Sequence, residues 1–359
     1  MIIKSLKLKN YRNYELLNIE FDNATNILYG NNAQGKTNIL ESIYLLGTTK
    51  SHRGTKDRDL IQFEHNESHL EIAIEKKGVP FLIDMHLKKN SPKGIAINKV
   101  PIKKASELFG IMHLVFFSPE DLNIIKNGPS ERRKFMDMGL AGLDKIYLND
   151  LSNYNKIINQ RNHLLKNSSK DIRDTLDIWD TQLVQYGNKI MERRKLFIQQ
   201  VNENIFDIHY KLTGRIEKLV LNYEPSIGVQ DFEQVLEKNR ERDLRLRSTT
   251  VGPHRDDLCF MAGDLDIRKF GSQGQQRTAA LSLKLSEIDL VKKLRNDTPI
   301  LLLDDVLSEL DKFRQNYLLD SIRDIQTLIT CTGVEEFVNH RFSVNKIFHV
   351  HNGQVVKEN

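Results

Sequence analysis

The stretch NILYGNNAQGKTNILESIYLL, residues 26–46, decides the fold of this chain. Residues 27–29 form a short apolar run that is typical of a buried parallel strand, and apolar residues recur at helical spacing from Ile39 onward. Between them, residues 30–37 match the phosphate-binding pattern of glycine, four residues, glycine, lysine, then serine or threonine. Strand, loop and helix in this order predict a nucleoside triphosphate site.

The residue types in this phosphate loop (residues 30–37) explain the chemistry. Glycines let the backbone turn its N–H groups inward around an anion, and the following helix adds the positive end of its dipole. We expect Lys36 to reach the outer phosphates of ATP and the Thr37 hydroxyl to hold Mg²⁺. The predicted nucleotide-binding residues here are Gly30, Asn31, Asn32, Ala33, Gln34, Gly35, Lys36, Thr37 and Asn38.

A second apolar run, Pro299–Leu303, ends in two carboxylates. Asp304 is the candidate to hold Mg²⁺ through water, and Asp305 is the candidate general base that orients the attacking water. Adjacent carboxylates also occur at solvated strand ends, but the phosphate loop favours the nucleotide site. The predicted catalytic residues are therefore Asp305 and Lys36.

A second glycine-containing turn precedes another helical pattern. This SQGQ turn, Ser272–Gln275, combines small and polar residues with a helix N-terminus, which suits a second phosphate contact. We predict that Ser272, Gln273, Gly274 and Gln275 bind nucleotide. An ordinary helix cap is the alternative.

Composition restricts the class of protein. The 359 residues, 28% charged and 39% hydrophobic, indicate a soluble protein of about two domains. The net charge of +5 permits nucleic-acid binding without demonstrating it. Two cysteines, Cys259 and Cys331, favour a reducing compartment over a disulfide framework or a zinc site. Because no eighteen apolar residues run together, we expect no membrane helix and a cytoplasmic location.

The pattern of apolar and polar residues changes twice along the chain. Strand-like alternation marks residues 1–125, beginning with Leu6 and Leu8 set among lysines, whereas long helical patterns with little glycine or proline fill residues 126–247. Alternation resumes from residue 248 to residue 359. The chain is therefore predicted to be an α/β domain, split into residues 1–125 and 248–359, with a helical insertion at 126–247.

The motifs also resemble a known class. The order GNNAQGKT (30–37), SQGQQR (272–277) and LLLDDVLSELD (301–311) is similar to ABC-type ATPases of the SMC class, in particular to its bacterial recombination mediators. Four further stretches carry the same resemblance over most of the chain: YRNY (11–14), FSPEDL (117–122), NGPSERRKFMD (127–137) and VGPHRDDL (251–258). The implied fold is a P-loop ABC-type ATPase head with an inserted all-helical arm domain.

The resemblance implies an ATP-dependent homodimer. Ser272, Gly274 and Gln275 of one copy would meet the γ-phosphate held by Lys36 of the partner subunit. It also implies a weak, DNA-dependent ATPase that binds gapped duplexes and junctions of single strand with duplex, and that helps RecO and RecR to load RecA. Asp305 replaces the glutamate usual in the class, which suggests slow turnover.

Two other class features are not assigned. Residues 113–121 contain no glutamine for a contact to magnesium or water, and residues 330–332 contain no histidine switch.

Candidate DNA contacts are basic clusters. They are Arg132, Arg133 and Lys134, then Arg193, Arg194 and Lys195, and the basic run at 50–58. A solvated helix face is the alternative for each cluster.

Two other functions fit the phosphate loop. A small-molecule kinase with a helical lid explains the loop but gives the SQGQ turn no role. The motor subunit of a membrane transporter is disfavoured, because the LSGGQ motif and the histidine switch of such subunits are missing from this sequence.

Overall fold

The computed structural model describes residues 1–167, 173–228, 231–333 and 344–358. The chain forms two compact units. The first comprises Met1–Asp121 with Glu287–Asn359, and the second comprises Leu122–Ser286. Among the described residues, no helix is both long enough and apolar enough to cross a bilayer.

The elements are numbered in chain order. The strands are β1 Ile2–Tyr11, β2 Tyr14–Glu20, β3 Thr25–Tyr29, β4 Glu67–Lys76, β5 Val79–Lys88, β6 Ser91–Ile97, β7 Val100–Pro101, β8 Leu114–Phe117, β9 Leu219–Glu224, β10 Asp257–Ala262, β11 Leu265–Asp266, β12 Ile300–Asp304, β13 Thr327–Cys331, β14 Lys346–His351 and β15 Gln354–Glu358. The helices are α1 Lys36–Thr48, α2 Leu122–Lys126, α3 Pro129–Leu143, α4 Lys145–Lys166, α5 Arg173–Leu212, α6 Phe232–Lys238, α7 Arg240–Leu246, α8 Ile267–Phe270, α9 Gln273–Arg295 and α10 Lys312–Ser321.

The first unit contains two sheets. One has the order β2-β1-β4-β5-β6-β7 and antiparallel pairing throughout. Strand β1 buries Leu6 and Leu8 and exposes Lys7 and Lys9, which confirms the alternation seen in the sequence.

The other sheet positions the nucleotide motifs. Its order is β15-β14-β3-β13-β12-β8, and the pairs β14–β3, β3–β13, β13–β12 and β12–β8 are parallel. All five residues of β12 and all five of β13 are buried, as expected for central parallel strands. Since carboxyl ends of parallel strands meet at one edge, the phosphate loop after β3 and the acidic pair at the end of β12 lie together.

The second unit is built around two long helices. Ion pairs join Asp150 of α4 to Arg193 of α5 and Arg161 of α4 to Asp180 of α5. The residue that comes later in α4 pairs with the residue that comes earlier in α5, so the two helices are antiparallel. The long helices that the sequence predicted for this segment are present.

The prediction of an all-helical insertion is wrong in one element. Strand β9 lies inside the insertion and pairs antiparallel with β10, which pairs with β11. A strand needs a neighbour for its backbone hydrogen bonds. Because β9 pairs with β10, which comes after residue 247, β10 belongs to the same compact unit as the insertion. The compact units accordingly divide at 121/122 and 286/287, whereas the sequence placed the junctions at 125/126 and 247/248.

Candidate nucleotide-binding site

The phosphate loop adopts a backbone conformation that requires glycine at two positions, 30 and 35. Gly30 has φ +149° and Gly35 has φ +114°. A Cβ on Gly30 would lie 2.3 Å from the carbonyl oxygen of Val350, and one on Gly35 would lie 2.6 Å from Asn13 Nδ2. Any side chain there meets strained dihedrals and an atomic overlap, so the spacing seen in the sequence has a steric cause.

Lys36 lies across the loop that it follows. Its ammonium donates hydrogen bonds to the carbonyls of Gly30 (2.5 Å) and Asn31 (2.9 Å). Burial lowers the pKa of Lys36, although nearby acidic groups, Asp305 first among them, act in the opposite direction. The amine is therefore held at the mouth of the loop, where outer phosphates are expected.

Asp304 is the centre of a buried polar cluster. Its Oδ1 accepts hydrogen bonds from the hydroxyls of Thr37 (2.8 Å) and Thr330 (2.7 Å), and the residue is 7% exposed. Burial raises the pKa of Asp304, and these two hydrogen bonds oppose that shift. Hydroxyl and carboxylate oxygens at the end of the phosphate loop form a donor set that suits Mg²⁺. The predicted metal residues, Thr37 and Asp304, are thus brought together.

Asp305 has an unusual backbone conformation for a residue with a side chain. Its φ is +54°, and its N–H donates to Thr330 Oγ1 at 3.0 Å. A residue with a side chain stays in this conformation only where surrounding contacts hold it in place. Thr330 therefore bonds both the Asp304 carboxylate and the Asp305 backbone, a role that residues 330–332 did not suggest in the sequence.

Sequence reasoning also missed the residues that support the loop. Asn13 Nδ2 donates to the Gln34 carbonyl (2.9 Å), and Asn13 Oδ1 accepts from Asn38 Nδ2 (2.9 Å). From the turn between β14 and β15, the N–H of Asn352 donates to Gln34 Oε1 (2.7 Å) and that of Gly353 donates to the Gln34 carbonyl (3.3 Å). The only available signal was the YRNY stretch, which contains Asn13.

The SQGQ turn lies at the surface of the second unit. Ser272, Gln273 and Gly274 are exposed, and Gln275 is half-buried. The N–H of Ser272 donates to Gln275 Oε1 (2.9 Å), and the N–H of Gln275 donates to Ser272 Oγ (3.2 Å). These reciprocal bonds are a capping box at the start of α9, so the cap that the sequence offered as an alternative is present.

Two predicted DNA contacts are buried instead. Arg132 is 5% exposed and forms an ion pair with Asp257, and Arg194 is 2% exposed and forms ion pairs with Asp137 and Asp256. A guanidinium enclosed in this way is not available to a phosphate group. The prediction is therefore wrong for Arg132 and Arg194, because the sequence showed their charge and not the carboxylates that fold against them.

The remaining basic candidates differ in exposure. Arg133 donates to the Asp256 carbonyl (2.8 Å), and Arg193 pairs with Asp144 and Asp150. Lys134 and Lys195 are exposed. In the run at 50–58 the exposed basic residues are Lys50, Arg53, Lys56 and Arg58.

Comparison with known proteins identifies the family. The model of the family described as RecF/RecN/SMC N terminal domain matches residues 2–356. The protein named DNA replication and repair protein RecF from Lachnospira eligens is 60% identical over 363 residues, covering 100% of both chains. The chain belongs to the RecF family. The RecF of Agathobacter rectalis is 62% identical over 357 residues, covering 99% of each chain.

The fold agrees with a solved member of the RecF family. The structure titled recombination mediator protein RecF-ATP in the RecFOR pathway has a TM-score of 0.93 and 34% identity, covering 100% of this chain and 98% of that one. The ABC-type ATPase head expected from the sequence is therefore confirmed. RecF-family membership favours this class over the kinase and transporter alternatives.

Proposed function

We propose that this chain is an ATP-dependent DNA-binding protein of recombinational gap repair. ATP and Mg²⁺ bind each copy, two copies then dimerise on DNA that has duplex and single-stranded parts, and slow hydrolysis releases them. RecF relatives named for DNA replication and repair, and the RecF-ATP structure named for the RecFOR pathway, support the process.

The observation that carries the proposal is that each of the two compact units has a motif suited to phosphate. One holds Lys36, Thr37 and Asp304 around the phosphate loop. The other exposes Ser272 and Gly274 at the start of α9, where N–H groups and the positive end of the helix dipole favour an anion. A second copy can reach this exposed turn, so one triphosphate joins two subunits and stabilises the dimer by its own binding free energy.

Residues of the chain account for the chemistry within each site. Lys36 and the backbone of the phosphate loop bind and orient the phosphates, and Thr37 with Asp304 would hold Mg²⁺, which neutralises phosphate charge when bound. Asp305, whose backbone N–H is bonded to Thr330, accepts a proton from the attacking water through its carboxylate. Its carboxylate reaches less far than a glutamate, which is the physical reason to expect slow turnover.

The proposed partners follow from the pathway. With RecO and RecR, the ATP-bound dimer helps to load RecA at gaps and at junctions of single strand with duplex. We propose that Lys134, Lys195 and the exposed basic residues of 50–58 contact the phosphates of DNA. Such contacts position the protein on DNA without recognising its base sequence.

Sedimentation velocity with and without ATP and a gapped duplex tests the proposal. We expect a dimer only when ATP is present, and Lys36→Arg is expected to abolish it because the guanidinium cannot reproduce the bonds of a compact ammonium. Lys88→Arg, at an exposed strand end, is the matched control and is expected to dimerise normally. A parent protein that stays monomeric at saturating ATP contradicts the proposal.

A further inference from the structure

The SQGQ turn is connected to the longest helix of its unit by a chain of hydrogen bonds. Just beyond the end of α5, the Thr213 hydroxyl donates to the His209 carbonyl (2.9 Å) and accepts from the N–H of Glu217 (3.1 Å). The Glu217 carboxylate accepts from Gln275 Nε2 (2.8 Å). A second link joins the same elements, since His209 Nδ1 lies 2.9 Å from the Ser282 hydroxyl of α9.

Both ends of the Gln275 amide are used. Oε1 accepts the N–H of Ser272 in the capping box, and Nε2 donates to Glu217. The cap therefore depends on which way the amide points. In the flipped orientation two donors, Nε2 and the N–H of Ser272, would face each other.

We propose that Glu217 is a positioning residue for nucleotide binding between subunits. A carboxylate carries only acceptors, so Glu217 fixes the amino group of Gln275 toward itself and the carbonyl toward Ser272. This contact shapes the turn before a partner arrives, which lowers the cost of ordering it on binding. The inference rests on the proposed function, because it assumes that the turn meets the nucleotide held by a second copy.

Glu217→Gln tests the orientation with almost no change in size. The new amide carries a donor as well as an acceptor, so it no longer fixes one orientation of Gln275 and admits the flipped, uncapped form. We expect the ATP-dependent dimer to weaken roughly fivefold for each turn, the effect of one net hydrogen bond, and roughly 25-fold for the two turns of a symmetric dimer. Binding of a fluorescent ATP analogue to the monomer is expected to stay unchanged, because the phosphate loop belongs to the other unit.

Glu237→Gln is the matched control, because Glu237 is exposed on α6 of the same unit. It is expected to leave both the dimerisation constant and nucleotide binding at parental values.

A reciprocal exchange separates positioning from a general loss of charge. Gln275→Glu alone sets two carboxylates against each other and weakens the dimer. In the double variant with Glu217→Gln, residue 217 donates to residue 275, whose other oxygen again accepts the N–H of Ser272. We expect the double variant to dimerise better than either single variant, and additive losses overturn the proposal.

Hydrogen exchange at the Ser272 amide gives a readout that does not need the dimer. We expect faster exchange in Glu217→Gln and slower exchange again in the double variant. Parental exchange and parental dimerisation in Glu217→Gln overturn the role of Glu217 and leave the proposed function intact. A parent that does not dimerise with ATP contradicts the proposed function, whereas Ser272 exchange still decides whether Glu217 holds the cap.

Discussion

Arg194→Met is expected to destabilise the second unit strongly and to leave the salt dependence of DNA binding unchanged. The Arg194 guanidinium donates to Asp137 (2.7 Å), to Asp256 (3.0 Å) and to the Pro253 carbonyl (2.6 Å), and it is almost fully buried. Methionine keeps much of the side-chain volume, but it leaves two carboxylates without their cation. Breaking a buried ion pair from one side costs about 3–5 kcal/mol.

The loss of stability expected for Arg194→Met can be measured by thermal unfolding. In a unit of the size of Leu122–Ser286, 1 kcal/mol changes Tm by about 2–4 °C, so a fall of roughly 6–20 °C in the Tm of this unit is expected for Arg194→Met. Lys195→Met alters the adjacent, exposed position and is expected to change the free energy of unfolding by less than about 0.5 kcal/mol.

DNA binding at several salt concentrations completes the test. Loss of one duplex phosphate contact lowers the slope of log K against log salt by about 0.9. We expect such a change for Lys195→Met and none for Arg194→Met under conditions where both are folded. A parental Tm together with a reduced slope in Arg194→Met would refute the assignment of Arg194 as a structural residue.

Three further outcomes test the nucleotide site. Ser272→Arg is expected to retain ATP binding in each protomer and to block association, and equal dimer fractions in variant and parent by sedimentation would contradict this. Asp305→Asn is expected to trap an ATP-bound dimer, because binding survives while proton acceptance from water fails; unchanged phosphate release would remove Asp305 from that role. Without nucleotide, Asp304→Asn is expected to be more stable than the parent at pH 7, because burial raises the pKa of Asp304 and its hydrogen bonds from Thr37 and Thr330 can be kept by the amide oxygen. A carboxyl whose pKa is raised on folding stabilises the fold most below its ordinary pKa near 4 and loses that contribution as pH rises through the folded value. The Tm difference between the variant and the parent should therefore grow from about pH 4 to pH 7, and a difference independent of pH would contradict the argument.

Local motifs made the nucleotide half of the site predictable. Glycine is required at 30 and 35 by positive φ and by the close approach of Val350 and Asn13, so the spacing of the two glycines follows directly from the loop geometry. The apolar run before Asp304 likewise reports a central parallel strand. The ATP-binding, catalytic and signature roles given to individual residues stay predictions, and the experiments above test them.

Residues that act through distant partners could not be predicted. Asn13 and Gly353 support the phosphate loop from positions more than 15 and 300 residues away in the sequence. Thr330, on a neighbouring strand, bonds the Asp304 side chain and the Asp305 backbone. Strand β9 was missed because it is short and its partner comes after the helical segment. No local pattern encodes such pairings.

The sequence by itself determined the phosphate loop, the acidic pair, the SQGQ turn and the long helices, because each depends on a local pattern of residues. Only the tertiary structure decided which charges are available. Arg194 and Lys195 are adjacent in the sequence and both carry a positive charge, yet one is enclosed by carboxylates and the other faces solvent. The physical reason is that desolvation and ion pairing depend on the groups that folding brings around a side chain, and these groups come from distant segments.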